Sequence, residues 1–406
     1  MQNLNIARLI VLTGLTLSLN ACKRPPSTLG FTVHNPGPDR RAETISIPAS
    51  TIESLTGAYG ADNVFVVYQD SVLVSQAVDH SGDGKVDEIL FQTDLRAGED
   101  KHFTLQASKD GAARRPKSPV TTYSRFVPER IDDYAWENDR VAFRTYGPEA
   151  QRITESGKPG GTLTSGMDCW LKRVSHPVVD SWYKKAVTQS GYYHKDHGEG
   201  YDPYHVGDSR GCGGIGVWEN DSLYTSKNFV RYKTLAEGPI RTLFELEYEP
   251  WTANGKTVHE KKIISLDLGS NLTRYEVDLT GSDALPNVAI GITLHDNKGD
   301  VKRDSVSGWF RYYEQIDSIG LGTGVVIRPQ HLIASMDRRV KVKDQSQILV
   351  LTDARSNRVV YYAGFGWEKS GQFSSPAEWD KYLENFAACL AAPVEIKFNV
   401  HDDAKK

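Results

Sequence analysis

The stretches Arg241-Thr-Leu-Phe-Glu-Leu-Glu-Tyr-Glu249, Val258-His-Glu-Lys-Lys-Ile-Ile-Ser-Leu-Asp-Leu268 and Leu272-Thr-Arg-Tyr-Glu-Val-Asp-Leu279 largely alternate apolar with polar side chains. A period of two is strand behaviour, with one face turned to a core and the other to solvent. The same reading fits Val64 to Tyr68, Ser71 to Val74 and Glu88 to Phe91, and Gly, Asn, Asp and Pro turns separate these runs. One helix is expected near the C-terminus. Ser375 can cap it, Pro376 suits its first turn, and Glu378 stands where a capping box needs an acid. Trp379, Tyr382, Leu383 and Phe386 then recur at helical spacing, and Val394 to Val400 reads as a last strand. The polar, basic, proline-bearing run Gly111 to Pro119 marks a boundary. The expected fold is therefore mainly β. A small immunoglobulin-like domain spans residues 31–110, and a large two-sheet, supersandwich-like β-sandwich spans residues 120–402 and carries the helix.

Residues 1–22 read as an export signal. Arg8 gives a basic start, and the apolar run Leu9 to Leu19 is too short to span a bilayer. It ends in Leu19-Asn20-Ala21-Cys22, a lipobox-like sequence that would leave Cys22 lipidated. The alternatives are an ordinary secretory peptide or an uncleaved anchor. Residues 23–30 then form a tether, and the expected location is exported and lipid-anchored, periplasmic or outer-membrane, with the lipid as the only membrane contact. Cys169, Cys212 and Cys389 remain; the first two are either a disulfide or buried free thiols. A spread net charge of −4 argues against a nucleic-acid partner, and no glycine-rich loop follows a strand as a nucleotide site would require.

The segment Asp79-His-Ser-Gly-Asp83-Gly84-Lys-Val-Asp87-Glu88 resembles half of an EF-hand loop. Asp79, Ser81, Asp83 and Asp87 fall at ligand positions, but Leu90 replaces the bidentate acid. Either a structural calcium ion is bound here or the acids line a solvated turn. Residues 192–212 are the densest chemistry in the chain. His194, His197 and His205 are interleaved with Glu199, Tyr201, Asp202, Tyr204 and Arg210, and glycines interrupt the run. No apolar period is available to build a core, whereas the side chains suit proton transfer near neutral pH. Acid–base catalysis, a metal site and a hydrogen-bonded surface loop are the three readings, the first favoured by the accompanying tyrosines and arginine. Trp136 and Glu137, and Lys172 and Arg173, sit in two further polar–aromatic stretches. They are candidates for a cleft wall, the two cations for holding a carboxylate or sulfate, or for buried and solvated structural positions.

Three segments together resemble a known family: Arg125 to Arg140, Ser165 to Arg173, and Tyr193 to His205 with Ser209 to Gly214. They look like the domain-of-unknown-function 4861 family, and Asp79 to Glu88 and Gly364 to Gly371 also fit it. The resemblance implies an exported protein of bacterial polysaccharide utilisation, associated with ulvan-type oligosaccharide dehydratases. Such an enzyme eliminates water from a terminal uronic acid. The substrate would be an acidic oligosaccharide, and the chemistry requires no cofactor. On the residues themselves, His194 or His197 is assigned the base, Tyr204 the acid and Arg210 the carboxylate clamp. Trp136, Glu137, Lys172, Arg173, Tyr201 and His205 are assigned to substrate binding. The rival readings are a non-catalytic glycan-binding lipoprotein and a metal-dependent glycan hydrolase.

Overall fold

The computed structural model describes residues 27–281, 285–354 and 357–399; the signal sequence, Cys22 and the first part of the tether lie outside them. The three alternating stretches form the strands Arg241–Tyr248, Lys256–Asp267 and Leu272–Thr280. They stand at the centre of a nine-stranded antiparallel sheet that continues through Arg358–Trp367, Ile319–Val326, Trp309–Ile316 and Asp300–Asp304. A five-stranded sheet containing Cys212–Glu219, Val288–Thr293 and Gln347–Thr352 packs against it. The shared core includes Phe244, Ile264, Tyr275, Ile290, Val350 and Phe365.

A further five-stranded sheet, ordered Gly200–Tyr201, Asp168–Lys172, Ala142–Thr145, Asp133–Glu137 and Tyr123–Val127, is buried on both faces. Strand alternation sends Tyr134, Trp136, Phe143 and Leu171 into the main core. It sends Ala135, Ala142 and Trp170 to the opposite face, beneath Trp182 and Tyr183 of the helix Val179–Thr188. Asp133, Glu137, Arg144, Asp168 and Lys172 share the parity of that second face, so five charged side chains lie under the helix.

The N-terminal unit packs a five-stranded sheet on a three-stranded one around Phe31, Ile45, Phe91 and Phe103. Its outer strand is Glu395–Phe398, from the far end of the chain, with Phe31 opposite Phe398. Residues 395–398 therefore leave the large unit to which alternation alone assigned them, because Ile396 and Phe398 cover the small unit's core. The strand Thr28–His34 likewise takes the second half of the expected tether into that sheet.

The two units meet at Glu88, which pairs with Arg241 at 2.9 Å and His80 at 2.7 Å and accepts a bond from Ser46. Burial opposes ionisation of Glu88, but His80 and Arg241 outweigh it and hold the carboxyl at about 2. A folded value below the ordinary 4.5 gives stability that is complete above that value and is lost as pH falls through about 2. Melting curves from pH 5 down to pH 2 should show wild-type protein losing stability more steeply than Glu88→Gln.

The C-terminal helix Pro376–Ala391 starts as expected: the Ser375 side chain accepts the Glu378 N–H. Glu378 reaches back to the N–H of Ser374, one residue before the cap. Trp379 and Leu383 lie on the nine-stranded sheet directly over Gly322, Gly324 and Gly366, where a β-carbon would collide with them. Missing side chains on the sheet thus admit an indole. Trp379→Ala is expected to cost about 3–5 kcal/mol in denaturant unfolding.

Cys169 and Cys212 are buried free thiols, and the Cys212 Sγ–H donates to the carbonyl of Gly364. The acidic loop closes on itself: Asp79 accepts the N–H groups of Ser81, Gly82, Asp83 and Gly84, while Asp87 accepts that of His80. Its acids bind the loop's own amides, and among the described residues no three His, Cys, Asp or Glu side chains group as a metal site needs.

Candidate functional site

Arg144 is the hub of the charged face under the helix. It pairs with Asp168 and, at 2.8 Å, with Asp202, and lies 3.7 Å from Asp133. All four side chains are buried, and the guanidinium also faces the rings of Trp170, Tyr146 and Tyr193. A second guanidinium, Arg130, is half-buried at the edge of this cluster. It follows a short turn, and Ile131 and Asp132 just after it hold left-handed backbone (φ 47° and 66°), a conformation that L-residues adopt only under constraint. Burial raises the Asp133 carboxyl to about 6, against the pull of Arg144 and Arg130. Burial and the neighbouring Asp168 push Asp202 well above the ordinary carboxylate range. One oxygen of each of Asp133, Asp168 and Asp202 receives no hydrogen bond from described protein atoms. The cluster therefore has places for a proton close to neutral pH.

The short turn Tyr192–His194 lies over this cluster. The Tyr193 hydroxyl accepts from Arg130 Nε at 3.0 Å and from Arg144 Nη1 at 3.5 Å, which leaves its own proton to be donated elsewhere. The His194 ring packs edge-on to Tyr193, and its Nδ1 lies 2.8 Å from the carbonyl of Asp202. A carbonyl only accepts, so this bond places the imidazole proton on Nδ1 and leaves Nε2 as the basic nitrogen. The side chain of His194 is 54% exposed and that of Asp202 1%, so a solvent-facing base is mounted on a buried acid.

The other proposed site residues do not converge here. His197 stacks on Tyr192, with Nε2 on the Tyr192 carbonyl. His205 pairs with Asp344 at 3.1 Å. The Tyr204 ring packs against His295, which bridges Glu314 and the carbonyl of His205; its own hydroxyl is buried. Tyr201 donates to Asp317 at 2.7 Å. Arg173 holds Asp196, which also takes Lys369.

Arg210 is buried, with Nη1 on Ser165 Oγ and Nη2 on Thr164 Oγ1, and its backbone N–H meets Gln347. No substrate carboxylate reaches it, and desolvation lowers it to about 10. Trp136, Glu137 and Lys172 are fully buried. Trp136 donates to Thr273. Glu137 accepts from Lys172 at 2.7 Å and from the N–H groups of Val178 and Val179, thereby capping the helix from the sheet below. These corrections share one cause: long-range partners consume the polar groups that looked free along the chain. Among the described residues the three histidines of the loop meet three different partners and do not come together as the alternative metal reading would need.

Asp133, Arg144 and Asp168 escaped the sequence reading because isolated charges in strands look like solvent-facing positions, and Arg130 because it ends the short turn Pro128–Arg130, where a charge looks solvated. The available signal was parity: Asp133, Ala135 and Glu137, and likewise Asp168, Trp170 and Lys172, alternate with core residues on a sheet buried on both sides.

A mainly β chain with several antiparallel sheets, a C-terminal helix and a guanidinium–carboxylate cluster under a histidine turn defines the class. The chain belongs to the family described as domain of unknown function DUF4861, whose model matches residues 33–396. It is 44% identical over 396 residues to the uncharacterized protein P7 of Formosa agariphila, covering 97% of this chain and 99% of that protein. Among solved structures it is similar in fold to an α-mannosidase from Enterococcus faecalis, with TM-score 0.50 and 8% identity over 94% of this chain. The chain spans about half of that structure, 47% of its length. A glycosyl hydrolase family 38 protein of the same organism gives TM-score 0.48 at 9% identity, covering 93% of this chain and 48% of its own.

Proposed function

We propose that this protein is an exported, lipid-anchored lyase that removes water from the terminal uronic acid of an oligosaccharide. The observation that carries the reading is the tautomer-fixed His194, packed edge-on to the buried Tyr193, whose hydroxyl accepts from two guanidiniums. Elimination needs a base for the proton on C5, an acid for the departing C4 oxygen and a cation to make C5 acidic. His194 Nε2 takes the C5 proton, the C5–H electrons form the C4–C5 double bond, and the C4–O bond breaks. Tyr193 donates its proton to that oxygen, which leaves as water. Arg130 is half-buried beside Tyr193 and takes the carboxylate role first given to Arg210. Asp202 positions His194 through its carbonyl, which accepts from Nδ1 at 2.8 Å, and the cycle resets when His194 releases the proton it took and Tyr193 regains one from solvent. The resemblance to ulvan-type dehydratases supports the reaction, and a fold shared with an α-mannosidase is in keeping with a saccharide ligand.

The test is incubation of the purified chain with uronate-ended oligosaccharides. Ultraviolet absorbance of the conjugated double bond is expected to rise. Binding with no absorbance change would leave a glycan-binding protein in place of a lyase.

A further inference from the structure

A cleft of about 920 Å³ lies away from the histidine turn, between the N-terminal unit, the outer face of the nine-stranded sheet and the C-terminal helix. A second cleft of about 520 Å³ shares Arg274, Arg328, Tyr362 and Leu390 with it, so the two run together. The chain as a whole is acidic, with net charge −4, yet seven Lys and Arg against three Asp and Glu line the larger cleft. The imbalance is local and comes from both units.

Two of these cations are not consumed by the fold. The Arg328 side chain is exposed and makes no hydrogen bond or ion pair with the described residues. The Arg140 guanidinium has only a 3.4 Å bond to the amide oxygen of Asn271. Lys101 stands 4.5 Å above the ring of Tyr68, which also lines the cleft, and donates to Thr93 and to the carbonyl of Asp94. Buried guanidiniums elsewhere in the chain meet acids or hydroxyls, as Arg144 and Arg210 do. A wide groove with two unpaired guanidiniums and the aromatic surfaces of Tyr68 and Tyr362 suits a ligand with hydroxyls, flat apolar ring faces and regularly spaced anions.

We infer that this inter-unit cleft is a second saccharide site, which holds an anionic glycan bearing carboxylate or sulfate groups through Arg140 and Arg328, beside Arg274, which pairs with Glu276 at 2.6 Å. It rests on the proposed function only for the class of ligand, and it requires no turnover. Such a site would keep a polyanionic chain on the enzyme while its end is processed elsewhere, and it would add an electrostatic contribution that salt weakens.

The test is calorimetric titration of the full chain with three tetrasaccharides: a heparin-derived one, tetragalacturonate and neutral cellotetraose. Wild-type protein is expected to bind one or both charged probes, more weakly as salt rises, and not cellotetraose; the tighter of the two names the preferred anion. Arg140→Ala/Arg328→Ala should weaken that binding by about tenfold or more. Arg231→Ala, which removes an exposed arginine outside both sites, should bind as wild type does, and melting temperatures verify that each variant is folded. No binding of either charged probe, or unchanged binding by the double variant, overturns the second site. Absence of turnover by wild-type protein that binds a charged probe would instead count against the lyase reading, so the two failures are distinguishable.

Discussion

His194→Ala is expected to fold with an unchanged melting temperature and to lose turnover on uronate-ended oligosaccharides by roughly 10²–10⁴-fold, the usual worth of a positioned acid or base. The side chain is 54% exposed, so its removal opens no cavity, and its one fixed bond is to the backbone carbonyl of Asp202. The basic atom is what disappears. His197→Ala supplies the contrast, because that ring stacks on Tyr192 and bonds its carbonyl outside the cluster. It should stay within a few-fold of wild type. Comparable losses in both variants would mean that the loop acts through its packing and not through a base at His194.

Glu137→Ala is expected to destabilise the fold by about 3–5 kcal/mol, read from denaturant unfolding. The side chain has no exposure, pairs with Lys172 at 2.7 Å and satisfies two N–H groups at the start of the helix Val179–Thr188. Its removal strands a buried ammonium and uncaps the helix that roofs the Arg144 cluster. Lys172→Met should cost a similar amount by leaving the carboxylate unpaired. The pair replacement Glu137→Met/Lys172→Met should cost less than the two single changes summed, since no charge is left alone. An additive result would show that the two groups are not coupled.

The contrast between what the chain announced and what it concealed follows the range of the interactions. The strands Arg241–Tyr248, Lys256–Asp267 and Leu272–Thr280 were legible because alternation is local. The Ser375 cap was legible because all of its partners lie within four residues. The pairing of Thr28–His34 with Glu395–Phe398 was not, because no periodicity names a partner at the opposite end of the chain. The histidine-rich stretch was correctly singled out as polar and coreless, but its polar groups meet Asp317, Asp344, Gln347 and Lys369, all more than a hundred residues away. Of the four side chains first assigned to the chemistry, only His194 lies on the guanidinium–carboxylate cluster. Arg130 and Tyr193 take the remaining roles in the proposed reaction. Tyr193 sits in the same stretch, whereas Arg130 is distant in sequence and is brought close by the strand Asp133–Glu137 that follows it.

The central claim is that a C5 proton and a C4 oxygen leave together. It is tested most directly by treating an oligosaccharide whose terminal uronate carries deuterium at C5 and weighing the product. The elimination proposed here gives a product lighter by the elements of water, without the label, and formed more slowly than from the unlabelled sugar. A product that keeps its deuterium, or that is a hydrolysed fragment with water added, contradicts it.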